Sequence, residues 1–433
     1  MKPALTNPPV ISITMWGLLV GAMSYVDDQD YCVFEYAPEW LDTGIEISPL
    51  HLPLSRKKYT FPQLPRATFK GLPAAFADTL PDDFGNAVIN AWLARQGRDV
   101  ASFSSLERLL YTGRRGMGAL EFEPAIKKKA AETEIEVDGL VQMAQQVINQ
   151  RQEAMTALSG SSDLSALLQV GTSAGGARAK AIIAINDSRT VIRSGQVDAP
   201  TGFSHWLLKL DGVSSVHQSQ ETFGDPQGYG RMEYAYYLMA KDAGIDMSPC
   251  ELLLEGKRAH FMTQRFDRVG NEKRHYQSLC AMDHADFKQP GHYSYEQLFQ
   301  VMRQLRLPRR EALQMFRRMV FNIMARNHDD HSKNFGFMLN DESRWQLAPA
   351  FDVAYSYKKD SPWVNTHQLS LNGKRTDFTQ EDLLLVAATF KKEAKAIIQH
   401  TKEVVKSWPH YAQLADVAPK FSQLIGENHV FTV

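Results

Sequence analysis

The segment ARNHDDHSKNFGFML (325–339) constrains the chain most. Phe316, Val320, Phe321, Ile323 and Met324 precede it at helical spacing, and the apolar GFML (336–339) that ends it reads as a buried strand. Between them stand two histidines, two aspartates, two asparagines, a serine and a lysine. So many polar groups between two core elements must form a loop with fixed ends, and chemistry is commonly mounted on such loops. Asp329 and Asn334 lie five residues apart. Asp352 follows 18 residues after Asn334, in PAFDVAY (349–355).

Phosphoryl transfer needs this set. One carboxylate accepts or orients a hydroxyl proton, while an amide oxygen and a second carboxylate hold magnesium on the phosphates of ATP. The D-x-x-x-x-N spacing matches a protein-kinase catalytic loop, and a later Asp on a short strand matches the second metal ligand. A lysine on an upstream strand is also required. Lys209 in HWLLKL (205–210) fits, because an ammonium among apolar neighbours needs an anion. A zinc or di-metal reading of His328 and His331 competes, although the pair is spaced i, i+3 rather than i, i+4.

A second segment, VGTSAGGARAKAIIAI (170–185), places a glycine-rich turn before a strand. Glycines let backbone N–H groups approach phosphate, and Arg178 and Lys180 add positive charge. A Walker A loop is excluded, since no G-K-[ST] is present. Gly171-Thr-Ser173-Ala-Gly175 matches the nucleophile elbow of serine hydrolases, but a strand follows where that motif needs a helix. A loop lying over ATP phosphates fits best, with a plain hairpin turn as the structural alternative.

The 433 residues suggest about two or three domains. With 44% hydrophobic and 22% charged residues the chain is globular. Its 48 basic and 49 acidic residues give a net charge of -1, so no bulk positive field drives nucleic-acid binding. Cys32, Cys250 and Cys280 are far apart, which argues against a disulfide framework and fits a reducing cytoplasm. The apolar stretch 10–25 has neither the flanks of a signal peptide nor the length of a membrane span. It reads instead as one strand, with 31–36 as its hairpin partner. No other membrane candidate is found.

Helices are expected near 83–97, 104–112, 130–158, 228–243, 295–305, 309–326, 380–406 and 410–424. Strands are expected at 181–185, 190–194, 205–210 and 260–266. In the helix at 130–158, Val141, Met143, Ala144, Val147 and Ile148 form the apolar stripe. The expected organisation is α+β. Residues 1–125 form an accessory domain, 126–160 a connecting helix, 161–268 a strand-rich N-lobe and 269–433 a helical C-lobe, with a ligand cleft between the lobes.

Taken together, SAGGARAK (173–180), HWLLKL, QRFDR (264–268), DDHSKN (329–334), PAFDVAY and the N-terminal WL-x₂-G-x-E-x-S-P-L-x-L-P-L (40–54) resemble the HipA family. These are serine/threonine kinase toxins of bacterial HipBA toxin–antitoxin modules, and the likeness runs over nearly the whole chain. The resemblance implies a bilobal protein-kinase-like fold that uses ATP and Mg²⁺. Lys209 would contact ATP, Asp329 would be the catalytic base, and Asn334 and Asp352 would bind magnesium. Gln264, Arg265 and Phe266 would form the hinge that meets adenine. Gly175, Gly176, His331 and Lys333 would be further nucleotide contacts.

Ser173 matches a serine that such kinases phosphorylate on themselves, which ejects the loop; about two negative charges beside the nucleotide would repel it. The resemblance also implies a HipB-type DNA-binding antitoxin that carries most of the affinity for operator DNA. The implied substrate is a translation component, with glutamyl-tRNA synthetase leading. A non-catalytic, kinase-like co-repressor is the rival within the same family. Arg178 departs from better-known members, and the run 275–290, with Asp283, His284 and Asp286, has no assigned role.

Overall fold

A computed structural model describes residues 10–125, 136–150, 178–216, 222–224 and 227–433. The chain forms two compact units. One contains Met1–His205 and Asp267–His284, the other Trp206–Phe266 and Ala285–Val433.

The first unit is built on an antiparallel sheet of β1 (Ile11–Met15), β2 (Leu18–Tyr25), β3 (Cys32–Tyr36), β4 (Tyr59–Thr60) and β5 (Leu120–Glu123), in the order β4-β3-β2-β1-β5. Ile11, Ile13 and Met15 alternate inward and are fully buried. The stretch 10–25 is therefore two strands rather than one. Met15 pairs with Leu18 across a two-residue turn in which Trp16 (φ 55°) and Gly17 (φ 80°) are both left-handed. Trp-Gly is not a usual sequence for that turn, and apolar residues on either side conceal it.

Helix α1 (Asp83–Arg95) is capped by Asp82, which accepts from the Gly85 N–H at 2.6 Å. Asp82 also meets Lys180 Nζ at 2.8 Å, both side chains being buried. Helix α2 (Ser105–Thr112) starts in a Ser104/Glu107 capping box. Helix α3 (Val137–Gln150) lies where the connecting helix is expected, and Leu140, Val141 and Ala144 are buried. Strands β6 (Lys180–Asn186) and β7 (Ile192–Ser194) form a hairpin.

Part of the unassigned run 275–290 anchors this unit. His275 is fully buried, with Nε2 2.9 Å from the Ile47 carbonyl. The Ser278 hydroxyl and N–H both donate to Asp78 at 2.7 Å. The His284 ring stacks on His51 at 3.7 Å.

In the second unit, the Trp206–Lys209 end of β8 (Phe203–Lys209), β9 (Cys250–Glu255) and β10 (Arg258–Gln264) lie antiparallel, with β10 between the other two. Strand β9 is not expected from the sequence, since CELLLE has neither strict alternation nor β-branched residues. Helix α4 (Tyr229–Asp242) packs against β10. Gly230 makes that approach possible: a Cβ there would lie 1.9 Å from the Ala259 carbonyl oxygen.

The helical part contains α5 (Tyr295–Gln304), α6 (Arg309–Met324), α7 (Gln380–Leu385), α8 (Lys391–Lys406), α9 (Trp408–Leu414) and α10 (Pro419–Asn428). The hairpin β11 (Gly336–Leu339) and β12 (Trp345–Leu347) follows α6. The single helices expected at 380–406 and 410–424 are each two. Phe390 leaves helical geometry (φ −144°, ψ 37°) and turns its ring onto Phe316 at 5.6 Å. Pro419 lacks the N–H that a continuing helix needs and starts α10 instead. No helix among the described residues is long and apolar enough to cross a membrane.

Candidate active site

Lys209 ends β8 with only 5% of its side chain exposed. Burying an ammonium requires partners, and two carboxylates supply them. Its Nζ pairs with Glu233 on α4 and with Asp352. The same Nζ sits 5.6 Å from the centre of the Phe261 ring. Glu233 is 3% exposed and Asp352 26%, so the lysine is clamped between a buried and a half-open carboxylate. Asp352 holds a left-handed backbone (φ 51°), a conformation that aspartate tolerates better than most residues. Glu233 is absent from the sequence reading. A carboxylate in the first turns of YGRMEYAYYLMAKD, among apolar and aromatic neighbours and on the helix that follows the lysine strand, is the signal that could have found it.

The polar loop begins where α6 ends. Its two adjacent aspartates differ completely. Asp329 has about half its side chain exposed (48%), with His331 Nε2 3.7 Å away. Asp330 is buried and accepts three hydrogen bonds: from Tyr295 Oη at 2.7 Å, His367 Nδ1 at 2.8 Å and the Gln368 N–H at 2.7 Å. Burial alone would raise the Asp330 carboxyl, but His367 and these hydrogen bonds outweigh it and hold the group below the usual carboxylate range. Asp330 thus fixes the loop and leaves Asp329 as the exposed aspartate of the pair. The loop also braces itself: Asn334 Nδ2 donates to the Asp329 carbonyl at 2.7 Å.

Asn334 and Asp352 line one small pocket together with Asn322, Asn327, Asp330 and Arg318. His331 and Lys333 lie against Phe287, at 5.4 Å and 5.2 Å. Gln264 closes β10, its N–H donating to the Pro249 carbonyl. Arg265 is buried, and the Phe266 ring packs 5.7 Å from Phe351, the neighbour of Asp352. The structure therefore brings Lys209, Asn334 and Asp352 to one locality and links Phe266 to it through Phe351. Ser173, Gly175 and Gly176 lie outside the described residues.

The donor set suits a hard cation. Asn334 and Asp352 offer oxygens, and so does Asn327, whose buried Oδ1 has no hydrogen-bond partner among the described residues. Magnesium is held by a few such groups together with phosphate oxygens and water. Zinc does not suit the histidine pair. His328 is fully buried, with Nδ1 3.1 Å from the Val364 carbonyl and Nε2 3.4 Å from Arg326. Burial and then the His367 ring push its pKa down to about 3. Among the described residues no group of three or more His, Cys, Asp or Glu could hold a metal ion.

Family models match residues 11–123, as the HipA N-terminal domain, and 172–408, as the HipA-like C-terminal domain. The chain belongs to the HipA family. The HipA of Shewanella oneidensis MR-1, solved with HipB and its operator DNA, has the same fold. The TM-score is 0.62 at 13% identity, over 96% of this chain and 95% of that one. The proinflammatory kinase CtkA of Helicobacter pylori aligns less well, with a TM-score of 0.36 at 10% identity over 59% of this chain and 92% of its own. A Sinorhizobium fredii protein named "Putative kinase Y4mE" is 21% identical over 156 residues, 34% of this chain. The chain spans 37% of the length of that curated relative. The fold is thus the α+β fold of HipA.

Proposed function

We propose that the chain is an ATP- and Mg²⁺-dependent protein serine/threonine kinase. The observation that carries this reading is Lys209, buried between Glu233 and Asp352. A strand lysine paired with a helix glutamate, beside an aspartate able to bind metal, is the positioning core of kinase active sites. In this reading Lys209 stays on Glu233 and exchanges Asp352 for phosphate oxygens. Asp352 and Asn334 hold the cation, and bound Mg²⁺ neutralises charge on the phosphates. Asp329 orients the attacking hydroxyl and takes its proton. Gln264, Arg265 and Phe266 face the base, while His331 and Lys333 contact the nucleotide. Catalysis then rests on positioning and charge stabilisation rather than covalent chemistry.

The finer assignments follow the family likeness. Residues 161–268 act as the N-lobe and 269–433 as the C-lobe, with 1–125 as the antitoxin-facing domain. Gly175 and Gly176 cradle phosphate, and phosphorylation of Ser173 switches the enzyme off. A HipB-type antitoxin supplies operator-DNA affinity and inhibition, in agreement with the chain's net charge of -1. The substrate is a protein of translation such as glutamyl-tRNA synthetase, and the site of action is the cytoplasm. The test is incubation with γ-labelled ATP and Mg²⁺, followed by mass-spectrometric mapping of phosphoserine and phosphothreonine. Mg²⁺-dependent label that disappears in Lys209→Met supports the reading. Nucleotide binding with no transfer, in protein free of phosphate at Ser173, overturns it in favour of a non-catalytic co-repressor.

A further inference from the structure

Asn327 stands three residues beyond the end of α6, is only 3% exposed, and lines the same pocket as Asn334 and Asp352. Its Nδ2 donates to Asn322 Oδ1 at 2.9 Å, while its Oδ1 is buried without a hydrogen-bond partner among the described residues. A buried acceptor left unmatched is costly and uncommon, and it asks for an explanation.

The orientation of this amide is determined by its neighbours. The Asp330 carboxylate can only accept, so the Tyr295 hydroxyl gives it its proton at 2.7 Å. The Tyr295 oxygen must then accept, and it does so from Asn322 Nδ2 at 3.3 Å. That leaves Asn322 Oδ1 facing Asn327, which must present its NH₂. Turning the Asn327 amide over would set two carbonyl oxygens against each other. Turning Asn322 as well would only move the clash to the Tyr295 oxygen. The relay Asp330–Tyr295–Asn322 therefore keeps the Asn327 NH₂ on Asn322 and leaves its carbonyl as a free acceptor on a residue that lines the pocket.

We propose that Asn327 supplies a third protein oxygen to the divalent cation of this pocket, accepting the ion or one of its bound waters, with its amide aimed by Asp330, Tyr295 and Asn322. The proposal rests on the kinase reading, in which Asn334 and Asp352 are the other two ligands. Asn327 is neutral, so it adds an oxygen without adding charge to a pocket that already contains two carboxylates. Tyr295 and Asn322 are positioning residues that act through Asn327.

The test is Mn²⁺ binding to the full chain in the presence of a non-hydrolysable ATP analogue, followed by the electron paramagnetic resonance signal of free Mn²⁺. Asn327→Leu should weaken Mn²⁺ binding roughly tenfold or more, the scale on which removing a supporting metal contact acts. Asn327→Asp restores an oxygen but sets a second one against Asn322 Oδ1, so it should recover only part of the binding lost in Asn327→Leu. Tyr295→Phe, which leaves the pocket untouched, should weaken binding by less than Asn327→Leu. Asn334→Leu is the reference. If it loses Mn²⁺ while Asn327→Leu does not, the inference fails and the kinase reading stands. If neither variant changes Mn²⁺ binding, both fail. Should Asn327→Leu not fold, Asn327→Ala carries the test, and unchanged Mn²⁺ binding in that variant would refute a ligand role.

Discussion

Replacing Glu233 by Gln removes one charge from beneath a buried lysine and keeps the volume. Breaking a buried ion pair outright costs about 3–5 kcal/mol, because the surviving charge is left unpaired. Here Asp352 remains to neutralise Lys209, and the new amide still offers an oxygen. The expected loss is therefore nearer that of one charge-assisted hydrogen bond, about 2 kcal/mol. At about 2–4 °C per kcal/mol for a domain of this size, the melting temperature should fall by roughly 4–8 °C. Lys209→Met should cost more, since it leaves the Glu233 carboxylate buried without its cation. Adding Glu233→Met to Lys209→Met should recover part of that loss, because an apolar pair of similar volume replaces a buried ion pair at little cost.

Thermal denaturation of the natural chain, Glu233→Met, Lys209→Met and the double variant gives the cycle, with Glu233→Gln measured beside it, and calorimetry with ATP analogue and Mg²⁺ gives the functional arm. In Glu233→Gln the lysine leans more heavily on Asp352, so it competes with the cation and weakens nucleotide·Mg²⁺ binding. A Glu233→Gln protein with unchanged melting temperature and unchanged nucleotide affinity would refute the reasoning. So would a double variant no more stable than Lys209→Met.

Gly230→Ala should push α4 away from β10, costing about 1–3 kcal/mol by overpacking and lowering nucleotide affinity through Glu233; unchanged melting and affinity would contradict the close contact with Ala259. Acid should destabilise the protein below pH 6.5 through its buried neutral histidines. Burial lowers His275 to about 4, and burial with His367 lowers His328 to about 3, so below 6.5 the unfolded chain binds more protons than the folded one. Stability from each group is present above 6.5. It is lost at up to about 1.4 kcal/mol per pH unit as pH falls toward those values, a slope that His328→Gln should reduce in denaturant titrations. Ser173→Ala should keep ATP affinity while abolishing phosphate at that position. Equal ATP affinity of phosphorylated and dephosphorylated natural chain would exclude the switch.

Much of this was legible in the sequence, for reasons that can be named. Helices α1 and α2 begin at an aspartate cap and a capping box, local signals that need no tertiary context. The polar loop between α6 and β11 stood out because core elements flank it. The β1–β2 turn did not, because Trp16-Gly17 carries no usual turn residue ahead of its glycine. Strand β9 was hidden by its composition. The break at Phe390 is made by a ring seeking Phe316, 74 residues away in sequence. Asp329 and Asp330 are identical letters side by side. What separates them is Tyr295, His367 and Gln368, more than 30 residues distant in each case, so the burial of Asp330 was not legible, although the D-x-x-x-x-N spacing already singled out Asp329. Glu233 was missed for the same reason: its partner Lys209 lies on another element.

Catalysis in this reading requires one locality that binds Mg²⁺·ATP and an Asp329 that moves the proton. The most direct measurement follows transfer and binding together in Asp329→Asn. Labelled phosphate incorporation should fall by roughly 10²–10⁴-fold, as expected for loss of a general base, while calorimetric affinity for ATP and Mg²⁺ stays within a few-fold of the natural chain. Full phosphate incorporation by Asp329→Asn would contradict the account.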